Sequence, residues 1–160
     1  MAQSQTNPLA DLERILRQQI AVYRELDKLL AEHRVALEGM ALQPILDVNK
    51  KQAVLRDRLA KLEQHRRAIF DKLGAESLTE LATKHGPQGL TLLKLRRELQ
   101  RVTGEVGTQS KLTSKIAAGM LGHLNTAVRV LAEAAGETGL YDKHGNPKLR
   151  RRRVAVYAAA

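Results

Sequence analysis

Apolar residues in this chain recur in alternating steps of three and four, and that spacing constrains the fold more than any other feature. One run goes from Leu12 through Leu16, Gln19, Tyr23, Leu26, Leu30 and His33 to Leu37. A second takes in Ile45, Val48, Gln52, Leu55, Leu59, Leu62, Arg66, Ile69 and Leu73. Residues so spaced share one face of an α-helix and form the seam of a coiled coil, whereas a half-buried strand needs steps of two. Composition agrees. Leu and Ala together number 47, while Phe, Trp and Tyr number four, which favours helices over the β-branched and aromatic make-up of strands. The fold class is all-α.

Punctuation places the helices. Asn7 is an N-cap and Pro8 stands at the first helical position, where its missing N–H costs nothing, so a helix is expected over 8–38 with Gly39 as its stop. Pro44 opens a second over 44–73, ended by Gly74. The short connection predicts an antiparallel hairpin. Ser77 and Glu80 form a capping box for a short helix over 78–85. Gly86 and Pro87 then break the chain and open the last helix, 87–135. Its seam runs Leu92, Leu95, Leu99, Val102, Val106, Gln109, Thr113, Ile116, Met120, Leu124, Val128 and Leu131.

Length carries the functional argument. Helices over 8–38 and 44–73 span about 45 Å each, and one over 87–135 spans about 73 Å, at ~1.5 Å per residue. The expectation is an elongated antiparallel three-helix bundle over 1–135 whose long third helix overhangs the hairpin beyond about Ile116. A flexible basic C-terminal tail is expected over 136–160. The overhang still carries Ile116, Met120, Leu121, Leu124, Val128 and Leu131. An apolar stripe with nothing of its own to cover it marks a partner site. The residues leave two other fates open: the helix folds back at Gly104, Gly107, Gly119 or Gly122, or two copies pair through the stripe.

Other function classes lack their residues. The chain has no Cys, which removes thiol chemistry and fits a reducing cytoplasm. The apolar stretch 116–128 falls short of the ~20 residues that cross a bilayer, and the N-terminus has no apolar signal core, so neither stable membrane insertion nor a secretory leader is expected. Acidic residues are set for i,i+4 pairs such as Glu13–Arg17, Asp57–Lys61 and Glu63–Arg67, not for general acid–base work. His33, His65, His85, His123 and His144 are not spaced as metal ligands, and His33, Gln19, Gln52, Arg66 and Gln109 read as polar layers that set register. The run from Gly104 to Lys111 lacks the order of a phosphate loop and follows no strand. No enzyme, metal, cofactor or small-molecule substrate is implied.

Net charge is +10. Half of it comes from the end of the chain, where Lys143, Lys148, Arg150, Arg151, Arg152 and Arg153 face Asp142 alone. Four consecutive arginines fit phosphate contacts, so a nucleic-acid-associated coiled coil using Arg150 to Arg153 is the alternative reading. No interleaved aromatic or basic recognition helix accompanies them, which makes nucleic acid the weaker partner class.

The heptad run from Leu12 to Leu37, the second helix ending at Leu73, the long third helix and the turn Gly139-Leu140-Tyr141-Asp142-Lys143-His144-Gly145 together resemble the FlgN family of flagellar export chaperones. The likeness covers about 9–148, and the tyrosine turn is its most distinctive part. The basic ending, 148–160, departs from it. The resemblance implies a non-enzymatic cytoplasmic carrier that binds the hook–filament junction proteins FlgK and FlgL and delivers them to the export gate, where the cytoplasmic domain of FlhA receives them. It also implies that Tyr141 contacts that gate. Ile116, Met120, Leu124, Val128 and Leu131 match the family's client-binding stretch by location.

Overall fold

The structure is a computed structural model and describes residues 7–137. Four helices make up the regular structure of these residues, with no strand among them: α1 (Pro8–Glu38), α2 (Leu42–Leu73), α3 (Leu78–Lys84) and α4 (Gly86–Glu137). The chain divides into two units, the first ending at Ala117 and the second beginning at Ala118. The tail expected from 136 lies outside the described residues, apart from its first two positions, which continue α4.

α1 begins as its sequence dictates. The Asn7 side chain accepts a hydrogen bond from the Leu9 N–H at 3.1 Å, and Pro8 follows at the first helical position. α1 ends where expected, at Glu38 with Gly39 as its cap, but the left-handed turn falls one residue later. Gly39 has ordinary right-handed geometry, and the left-handed residue is Met40, with φ 49°. The Met40 and Ala41 N–H groups return to the carbonyls of Leu37 and Ala36, the paired bonds that close a helix through a left-handed residue. Glycine takes that position freely, while a residue with a Cβ loses about 1–2 kcal/mol there. At the end of α2 the same pair of bonds runs from Gly74 and Ala75 to Asp71 and Phe70, with Gly74 itself at φ 58°.

α2 starts at Leu42, two residues ahead of Pro44, because a helix tolerates proline throughout its first turn, where N–H groups have no intrahelical partner. Ser77 caps α3, accepting from the Glu80 N–H at 3.1 Å. Glu80 answers on the Glu76 N–H at 3.0 Å, one residue earlier than a strict capping box. Gly89 at the start of α4 is needed for packing. A Cβ there would lie 2.0 Å from the Ala82 carbonyl oxygen of α3.

Within the first unit α1 is the central element. Besides its seam it buries Ile15, Val22, Leu29 and Ala36, a second stripe repeating every seven residues. One core cluster joins Leu12, Leu16 and Ile20 of α1 to Leu78 and Leu81 of α3 and Leu92, Leu95 and Val102 of α4. The other joins Leu26, Leu29 and Leu30 to Val48, Leu55 and Leu62 of α2 and Val106 of α4. Two polar contacts show α2 running back along α1: Gln19 donates to Glu63 at 3.3 Å, and Gln52 meets His33 Nδ1 at 3.4 Å. The early part of α4 runs in the direction of α1, with Arg24 paired to Glu98 and Arg34 donating to Gln109 at 2.6 Å.

Candidate functional site

The stripe of α4 changes character along its length. Leu92, Leu95, Val102, Val106 and Thr113 are buried, and Ile116, the last stripe residue of the first unit, is half-buried. In the second unit Met120 is half-buried, while Leu124 is 49%, Leu121 61%, Val128 64% and Leu131 69% exposed.

Helix geometry gathers these residues. At about 100° per residue, Met120, Leu124, Ala127 and Leu131 fall within an arc of about 60°, and Leu121 and Val128 widen it to about 120°. Gly122, Asn125, Arg129 and Glu133 occupy the opposite side. Two local bonds hold the backbone and its polar face: Thr126 Oγ1 donates to the Gly122 carbonyl at 3.0 Å, and Arg129 approaches Glu133 at 3.8 Å. Val130, 55% exposed, is an apolar residue that the seam spacing missed, because it lies off the stripe. The four glycines named as candidate hinges leave α4 unbroken, and a Cβ at any of them would meet nothing within 4 Å. Among the described residues they are not sites of close helix approach.

The remaining polar clusters belong to the first-unit seam. Glu63 accepts from Arg66 at 2.9 Å, Arg67 at 3.2 Å and Gln19. Burial would raise its pKa, but the Arg66 hydrogen bond and charge, with help from Arg67 and Gln19, hold it below the usual carboxylate value. Gln19 Oε1 is buried without a partner. His33 is pushed below its ordinary 6.5, first by burial and then by the nearby Arg56 charge. No His, Asp and Glu side chains gather in threes that could hold a metal among the described residues. None of the described helices is long and apolar enough to cross a membrane. Tyr141 and Arg150, Arg151, Arg152 and Arg153 lie outside the described residues.

What remains among the described residues is a set of helices with an exposed apolar stripe on late α4. The sequence of the chain matches the family described as FlgN protein over residues 8–148. This chain belongs to the FlgN family. No curated protein and no solved structure matches it. FlgN membership makes it a member of a chaperone family rather than an enzyme family, with a role in flagellar export and assembly and with flagellar proteins as its partner class.

Proposed function

We propose that this FlgN-family chain is a cytoplasmic carrier for hook–filament junction proteins of the FlgK and FlgL type, held along the apolar face of late α4. The observation that carries the reading is the exposure of Leu121, Leu124, Val128 and Leu131 on one side of one helix. A client whose terminal helices pair through heptads after export presents a matching apolar face beforehand, and a helix with an open stripe covers it by the same packing. An elongated three-helix bundle over 1–135, with a third helix longer than its two companions, is the architecture that goes with this role. Gate delivery is assigned to Tyr141, through an FlhA-like cytoplasmic domain.

The test is co-purification with a C-terminal fragment of a FlgK-like client. Wild type retains the fragment, and the double substitution Leu124→Asp with Leu131→Asp loses it while helix content by circular dichroism stays unchanged. Full retention by the double variant would move the client site off α4. In the same strain background, Tyr141→Ala keeps the client and lowers export. Unchanged export would remove the tyrosine from the delivery step.

A further inference from the structure

The apolar face of late α4 is wider than one partner helix can use. In the first unit, where the chain covers this helix itself, Leu92, Leu95, Leu99, Val102 and Val106 fit an arc of about 80°. In the second unit the large apolar side chains run from Val130 on one edge to Leu121 on the other. That arc is about 180°. Val130 is 55% exposed and Leu121 61%, so both edges stand in solvent to a similar degree.

By spacing, the wide face is two seams set side by side. Leu121, Leu124, Val128 and Leu131 follow steps of three, four and three within an arc of about 80°. Met120, His123, Ala127 and Val130 follow the same steps within an equal arc, and the two centres lie about 100° apart. Knobs-into-holes packing with one helix occupies one such seam. The other needs a second helix.

The placing of charge agrees. A helix that pairs through a single seam carries charged residues along both edges of it, where they set the orientation of its partner. From Ala118 to Ala135 the charged residues are Arg129 and Glu133, which approach each other at 3.8 Å on the far side of the helix. The border between the two seams and both outer edges are uncharged, as on a helix with a neighbour on either side. A second copy of the chain does not answer both seams. A two-fold dimer sets one patch against itself, and the other seam stays in water. We propose that the client held on late α4 supplies two amphipathic helices, one for the seam of Leu121 and one for the seam of Val130. This rests on the client site proposed above and adds the form of the client to it.

The chain has no Cys, so single introduced thiols report each seam alone. Full chains carrying Leu121→Cys, Val130→Cys or, on the polar side, Asn125→Cys are alkylated with N-ethylmaleimide, with and without a C-terminal fragment of a FlgK-like client. The fragment slows the reaction of Leu121→Cys and of Val130→Cys by at least about tenfold each and leaves Asn125→Cys unchanged. Hydrogen exchange of the bound fragment shows two separate protected helical segments. One protected segment, or protection of one seam thiol while the other reacts at its free rate, would overturn the helix pair and keep the client site. A fragment that does not bind, or one that binds while all three thiols react at their free rates, would overturn the client site itself and the pair with it. Protection of both seam thiols without fragment, growing with protein concentration, would also overturn the pair, since copies of this chain would then fill the seams.

Discussion

The stretches of α4 on either side of Ala117 share one spacing and differ in almost everything else. Leu92, Leu95, Val102 and Val106 are buried to within a few per cent of their surface with Leu99 half-buried between them, and polar neighbours such as Glu98 and Gln109 reach across to arginines of α1. From Leu121 to Leu131 the stripe residues are half to two-thirds exposed, and the hydrogen bonds and ion pair there stay within the helix. Seam spacing therefore states that a helix has an apolar face. What covers the face is a separate fact, supplied in the first stretch by α1 and α3 and, in the proposed function, by a client in the second.

Truncation gives the largest contrast. Leu95→Ala empties a site 5% exposed and costs about 2–5 kcal/mol, the range for a buried leucine. Leu131→Ala, at 69% exposure, stays within about 0.5 kcal/mol. Denaturant unfolding of the two variants checks both values. A Leu131→Ala loss as large as that at Leu95 would mean that the second stretch is covered in the free protein, and the comparison would collapse.

Glycine sharpens the contrast at smaller amplitude. Gly89→Ala drives a methyl against the Ala82 carbonyl and forces α4 off α3, a loss of about 3 kcal/mol. Gly119→Ala meets open space and removes the entropic weakness of glycine in a helix, a gain of up to about 1 kcal/mol. Thermal melts followed by far-ultraviolet ellipticity should move in opposite directions. A loss at Gly119 would mean that another part of the free chain approaches it closely.

Most of the fold was legible because its signals are local. Asn7 with Pro8, Ser77 with Glu80 and the left-handed Gly74 each act within one turn, so the boundaries of α1, α3 and the end of α2 follow from a few neighbouring residues. Met40 escaped because two adjacent residues compete to end a helix, and only the backbone shows which one turns left-handed. The second stripe of α1, Ile15, Val22, Leu29 and Ala36, escaped because seam counting follows one face, and α1 packs on several elements. The stripe on late α4 was legible as a pattern, since a helix of known start fixes every angle after it. The full width of that face was not, because His123 and Val130 belong to a second seam that counting along the first passes over.

The smallest predicted effect comes from a polar position in the α1–α2 seam of the first unit. His33 sits half-buried between α1 and α2, with Gln52 at 3.4 Å and Arg56 nearby. Burial and then the arginine charge hold its pKa in the folded chain below the 6.5 of the free side chain. As pH falls through about 6.5, the unfolded chain takes up a proton that the folded chain refuses, so unfolding becomes more favourable. The contribution is complete above 6.5 and is lost as pH drops toward the lower folded value. Glu63, also lowered from its usual 4.5, gives up its own contribution only in the carboxylate range, so the two windows separate. Midpoints of denaturant unfolding measured between pH 7.5 and 5 should decline slightly in wild type and stay flat in His33→Gln. A decline that survives the substitution would place the titrating group elsewhere and leave His33 a polar layer without a charge to refuse.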